Sequence, residues 1–166
     1  LGVCMMFGFS ALYHRVDWQA RVLIIMRKLD HSAIFVMIAG SFTPICLLVL
    51  PGDTGIQLLF IVWIIAGIGI LQTILFTQTP RLIRAGIYLV AGYMAVPYLS
   101  VMSSVMSMTN FTLTAAGGTI YTVGAIGYGF KFPDISPKYF GYHEFFHILV
   151  AIAAVLHFIV IYSIVG

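Results

Sequence analysis

Long apolar runs separated by short polar breaks organise this chain. Five runs stand out, at about 32–50, 56–76, 82–105, 111–130 and 144–165, and a shorter sixth covers about 1–14. A membrane-spanning helix needs about 20 apolar residues at 1.5 Å rise each. The runs are continuous rather than alternating with period two, and about twice as long as a barrel strand. The pattern therefore predicts an all-α, polytopic transmembrane helix bundle with six visible spans, forming one domain over residues 1–166. The breaks RVDWQARVLIIMRKLD (15–30), PGDTG (51–55), TQTPRLIR (77–84), SMTN (107–110) and KFPDISPK (131–138) read as connections. Only the first is long enough to hold an interfacial segment. Pro44 and Pro97 fall inside runs, so GSFTP (40–44) and GYMAVP (92–97) are expected to be bent, closely packed places.

Composition sharpens that picture. The chain is 61% hydrophobic and 8% charged, against about 25% charged for a soluble domain. It cannot cover a water-facing surface, so its solvent is lipid. Cys4 and Cys46 lie in apolar runs and read as small buried hydrophobes rather than a disulfide. Leu1 stands inside an apolar stretch with no charged leader before it, and the expectation is a truncated first helix.

Charge placement supplies a topology. All eight basic residues fall in alternate connections: Arg15, Arg21, Arg27 and Lys28 in the first, Arg81 and Arg84 in the third, Lys131 and Lys138 in the fifth. By the positive-inside rule these three are cytoplasmic and the C-terminus is outside. The net charge of +3 then meets anionic lipid headgroups of the cell membrane, and nothing calls for a nucleic-acid partner.

The histidines gather at one depth of that topology. His14 ends the first run, Asp30 and His31 open the second, and His143 and His147 open the last, all at the cytoplasmic end. Residues four apart differ by about 40° around a helix, so His143 and His147 share a face, as do Ser10 and His14. Neutral imidazoles are common metal ligands. Three of them with an open fourth position are the arrangement of a catalytic zinc, which lowers the pKa of its water to about 7. His14, His143 and His147 are thus the expected zinc ligands. Asp30 is placed to handle a proton or orient a ligand, and Ser10 to bond a substrate carbonyl or anion. Blander readings compete: a lone histidine at a helix end snorkels to water, Asp30 serves as a helix cap, and Ser10 bonds its own helix. His31 points about 100° from Asp30 and reads as interfacial. His157 lies about 15 Å beyond His147 along the helix, too far for the same metal; it would line a cavity or bond a neighbouring helix.

The string HEFFH (143–147) also matches the H-E-x-x-H pattern of metalloproteases. A downstream third ligand is missing, however, since only His157 follows and no carboxylate does.

SALYH (10–14), LDHSAIFVMIAGSFTP (29–44) and HEFFH (143–147) together resemble the haemolysin III group of the progestin and adipoQ receptor family, which includes the adiponectin receptors and is distantly similar to alkaline ceramidases. The resemblance covers the whole chain. It implies a seven-helix bundle with zinc near the cytoplasmic face, held by His14, His143 and His147 with Ser10 and Asp30 beside it. The family's first helix, with its E-x-x-N motif, is absent here. The resemblance also implies hydrolysis of a lipid amide, as in ceramides, with the acyl chain admitted from the bilayer. Two other functions compete. A receptor or homeostasis protein would hold a structural zinc closed by a fourth protein ligand, for which Asp30 is the near candidate. A cytolysin or channel would need a polar path, and the outer halves of the runs offer little beyond Gln57, Ser100 and Thr112.

Overall fold

A computed structural model describes residues 1–134, 136 and 140–166; Lys138, counted above among the basic residues, lies outside them. The helices are α1 (Gly2–Arg15), α2 (Ala20–Leu48), α3 (Gly52–Leu75), α4 (Arg81–Tyr93), α5 (Leu99–Val105), α6 (Met108–Phe130) and α7 (Tyr142–Val165), with a single 3-10 turn, Val96–Tyr98, between α4 and α5. No strand is named among the described residues; Ser136 and Phe140 form one isolated antiparallel bridge between α6 and α7.

Among the described residues, four segments are long and apolar enough to cross a membrane: Ala20–Leu48, Gly52–Leu75, Arg81–Val105 and Tyr142–Val165. The expected spans at 111–130 and 1–14 do not reach that apolarity and length. α6 has 23 residues, about 35 Å of helix, but its threonines and glycines lower its hydropathy. α1 has 14 residues.

The helices differ from the sequence reading in two places. α2 begins at Ala20, twelve residues before the expected start at 32. Most of the first polar break is therefore helix rather than connection. Arg27 and His31 sit one turn apart there and share a face, and Leu23, Ile24 and Ile25 of the preceding turns are exposed. The run 82–105 breaks where expected, at Pro97, into α4, the 3-10 turn and α5. α2 instead passes through Pro44 unbroken. Neither proline segment is closely packed at its glycine: a Cβ on Gly40 or Gly92 would meet nothing within 4 Å.

Close packing occurs elsewhere. A Cβ on Gly55 would lie 2.0 Å from the Cys46 carbonyl oxygen, one on Gly69 2.3 Å from the Phe35 ring, and one on Gly117 2.5 Å from the His157 ring. These glycines let α3 approach α2 and α6 approach α7, the use small residues serve where lipid gives no hydrophobic drive between helices. α2 is the hub, touching α1, α3, α4 and α7. Its inner face carries Phe35, Ala39 and Cys46 against Leu58, Val62 and Ala66 of α3. Its other side packs Ala33 and Met37 against Met6 of α1 and Val150 of α7. Cys46 is buried as expected, but Cys4 is exposed on α1, and neither is bonded. Phe60, Ile64, Ile68, Leu71 and Leu75 run exposed along α3, an apolar stripe that suits lipid.

Candidate metal centre

α1 ends at His14, and α7 begins with Tyr142 and His143. Glu144 accepts from the Gly141 backbone N–H at 2.9 Å, the glutamate half of a capping box that fixes where α7 starts. With the start fixed, His143 and His147 stack on one face and meet His14. The His143 Nε2 atom is 3.3 Å from that of His14 and 3.1 Å from that of His147. All three donor atoms lie within 4.8 Å of one another, and among the described residues no carboxylate joins the group.

This arrangement fits a zinc ion. Imidazole nitrogens bind zinc at about 2.0–2.1 Å, and tetrahedral geometry then separates them by about 3.3–3.4 Å. Without a cation, three converging Nε2 atoms are poorly paired, because a neutral imidazole offers one donor and one acceptor nitrogen. A cation bound to the three lone pairs removes that conflict. Three protein donors are one fewer than a closed structural zinc site takes.

Ser10 and Asp30 are both buried, each 9% exposed. Both line the cavity that the three histidines also line. Asp30 thus lines the same cavity as the histidines without joining the donor set. Glu144 is exposed and engaged at the helix start, so the HEFFH string does not place its glutamate as a metalloprotease's base.

His31 does not join the three histidines. It is enclosed between two arginines: its Nδ1 lies 2.6 Å from the Arg27 carbonyl and its Nε2 2.6 Å from Arg84 Nη1. A guanidinium can only donate, so Nε2 accepts and Nδ1–H donates to Arg27. Arg84 also donates to the Thr79 carbonyl at 2.8 Å, and Arg27 to the Thr77 carbonyl at 2.6 Å. Arg81 donates to the Tyr142 hydroxyl at 2.7 Å and lies over the Tyr128 ring. Sequence reasoning counted these arginines only as topology charges. The Arg27–His31 spacing of four was a signal for a local bond; the contacts to Arg84 and Tyr142 span 53 and 61 residues and left none.

The histidine site opens into a cavity of about 700 Å³, within the range of small-molecule pockets. Ser10, Asp30, His14, His143 and His147 line one end. Mostly apolar walls continue outward through Phe7, Ile38, Leu89, Phe146 and Met102. Gly92 borders the cavity, which explains the open space beside it. His157 lines it too and bonds the Thr114 carbonyl of α6 at 3.2 Å.

Comparison with known proteins agrees with this picture. A family profile described as "Haemolysin-III related" matches residues 1–158. The Hemolysin-3 homolog of Bacillus subtilis (strain 168) is 36% identical over 132 residues, 78% of this chain and 62% of that protein. Hemolysin-3 of Bacillus cereus is 36% identical over 124 residues, 74% of this chain and 55% of that protein. The human Monocyte to macrophage differentiation factor is 28% identical over 167 residues, 98% of this chain and 67% of that protein. The chain thus spans about three fifths of the bacterial relatives it matches.

Proposed function

This chain belongs to the haemolysin-III family of membrane proteins, and from that premise we propose that it is a zinc-dependent hydrolase of lipid amides, acting on ceramide-like substrates. One observation carries the reading: three imidazole nitrogens converge in a largely apolar cavity that the buried Asp30 and Ser10 also line. A scissile polar group held at the histidines would leave an acyl chain in the cavity.

When bound, zinc supplies a Lewis acid and makes water a nucleophile near neutral pH. The chain's own residues do the rest. His14, His143 and His147 hold the ion. Asp30, as its carboxylate, takes the proton of the attacking water and returns it to the leaving amine. Ser10 donates a hydrogen bond, either to Asp30 to fix its orientation or to the substrate carbonyl oxygen as charge builds there. The cavity wall excludes bulk water, which strengthens these interactions. Membrane lipids are the partners this reading requires.

The test is metal content by mass spectrometry and turnover of a ceramide-like amide by the protein purified in detergent. The wild type is expected to carry about one zinc per chain, and His143→Ala/His147→Ala to lose it. Asp30→Asn is expected to keep the zinc and lose turnover about 10²–10⁴-fold. Zinc without turnover in the wild type would sink the hydrolase and leave a metal-bound receptor or homeostasis protein.

A further inference from the structure

The outer part of the cavity is not uniformly apolar. His157 donates its Nε2–H to the Thr114 carbonyl at 3.2 Å, so its Nδ1 is left to accept. The Nε2–Cδ2 edge of the ring is the one a Cβ on Gly117 would strike. The Nδ1–Cε1 edge therefore faces away from that contact with α6. The Tyr121 ring meets His157 edge-on, with centroids 5.5 Å apart. Its hydroxyl has one partner, the Met37 sulfur at 3.5 Å, which is a weak acceptor. Ser41 and Thr114 each send their proton to a carbonyl one turn back, at 2.8 Å, and keep lone pairs free. All four residues line the cavity, and they come from α2, α6 and α7. Buried polar groups cost free energy unless they find partners, and a saturated chain offers them none.

We propose that His157, Tyr121 and their neighbours form a second hydrogen-bonding station that recognises a hydroxyl borne far along the lipid chain. This rests on the lipid-amide reading above. Distance sets the position. His157 lies ten residues beyond His147, about 15 Å along the helix axis. An extended chain advances about 3.3–3.6 Å per three bonds, so the hydroxyl falls about a dozen bonds from the group held at the histidines. The preferred ligand class is a long-chain acid, or its amide, hydroxylated near mid-chain; its hydroxyl donates to His157 Nδ1 and accepts from Tyr121.

The experiment is competition binding on the zinc-loaded protein in detergent, against radiolabelled octadecanoic acid. The competitors are octadecanoic, 3-hydroxyoctadecanoic and 12-hydroxyoctadecanoic acids. The wild type is expected to prefer the 12-hydroxy acid over octadecanoic acid about tenfold, the value of about one net hydrogen bond. The 3-hydroxy acid is expected to gain nothing. His157→Phe should bring the ratio to about one, His157→Gln should restore part of it, and Gly117→Ala should reduce it by displacing the ring. Equal affinities in the wild type overturn the station and leave the lipid cavity intact. A preference that survives in both His157→Phe and Tyr121→Phe overturns it too. No binding of any acid sinks the station together with the lipid-amide reading.

Discussion

Arg84 donates to His31 and to the Thr79 carbonyl, and the bond to His31 Nε2, with the Arg27 carbonyl facing Nδ1, decides which His31 nitrogen keeps its proton. The charge is enclosed rather than solvated, and its hydrogen bonds tie α4, α2 and the connection before α4 into one unit beside the cavity. Arg84→Ala would leave the His31 Nε2 acceptor and a backbone carbonyl without partners, at about 1–3 kcal/mol each where water cannot replace the donor. The expected outcome is a clearly lower unfolding temperature in detergent. Arg84→Lys is expected to recover only part of it, because an ammonium lacks the planar fork that reaches both acceptors. An unchanged melting temperature in Arg84→Ala would show that water replaces the guanidinium. Residue identities made the histidine trio legible, because His143 and His147 are four apart and the charge-derived depth brought His14 to them. They did not reveal the His31 relay, whose partner lies 53 residues away.

Among the elements, the runs of apolar residues marked most helices but misplaced the start of α2. Hydropathy registers Arg27, Lys28 and Asp30 as a break. The helix accommodates Arg27 because its charge is bonded to the Thr77 carbonyl. Pro97 ends α4 as its chemistry demands, whereas Pro44 leaves α2 continuous. Ser41 and Thr43 bond to carbonyls one turn back at 2.8 Å around it. Close packing was misjudged for a related reason: sequence shows that a residue is small, not what stands opposite it. Gly55 and Gly67 on α3 make the contrast testable. A methyl at Gly55 collides with the Cys46 carbonyl, while one at Gly67 meets nothing within 4 Å. Gly55→Ala is expected to cost about 1–3 kcal/mol through overpacking. Gly67→Ala is expected to be neutral or to stabilise by up to about 1 kcal/mol from helix propensity. Thermal unfolding of both in the same detergent compares them, and equal melting points would refute the packing assigned to α2 and α3.

At the scale of the whole molecule, charge and chemistry gather at one end. His14, Arg15, Arg81, Arg84 and His143 stand at the ends of α1, α4 and α7 that meet around the histidine site. Arg21, Arg27 and Lys28 occupy the first turns of α2. The opposite end, at the α2–α3 connection, the α5–α6 connection and the close of α7, carries no lysine or arginine. Insertion holds such a cationic end in the cytoplasm, so the metal end should face the cytoplasm and the end of α7 the outside. Single cysteines test this in a background with Cys4 and Cys46 replaced. A cysteine at Gln78, between α3 and α4, should react with a membrane-impermeant maleimide only after cells are permeabilised. A cysteine at Gly166 should react in intact cells. The reverse pattern would put the histidines outside, exposing any zinc there to extracellular chelators. Chelator sensitivity of bound zinc in intact cells is therefore an independent check on the same orientation, and the cytoplasmic placement requires that zinc to be retained.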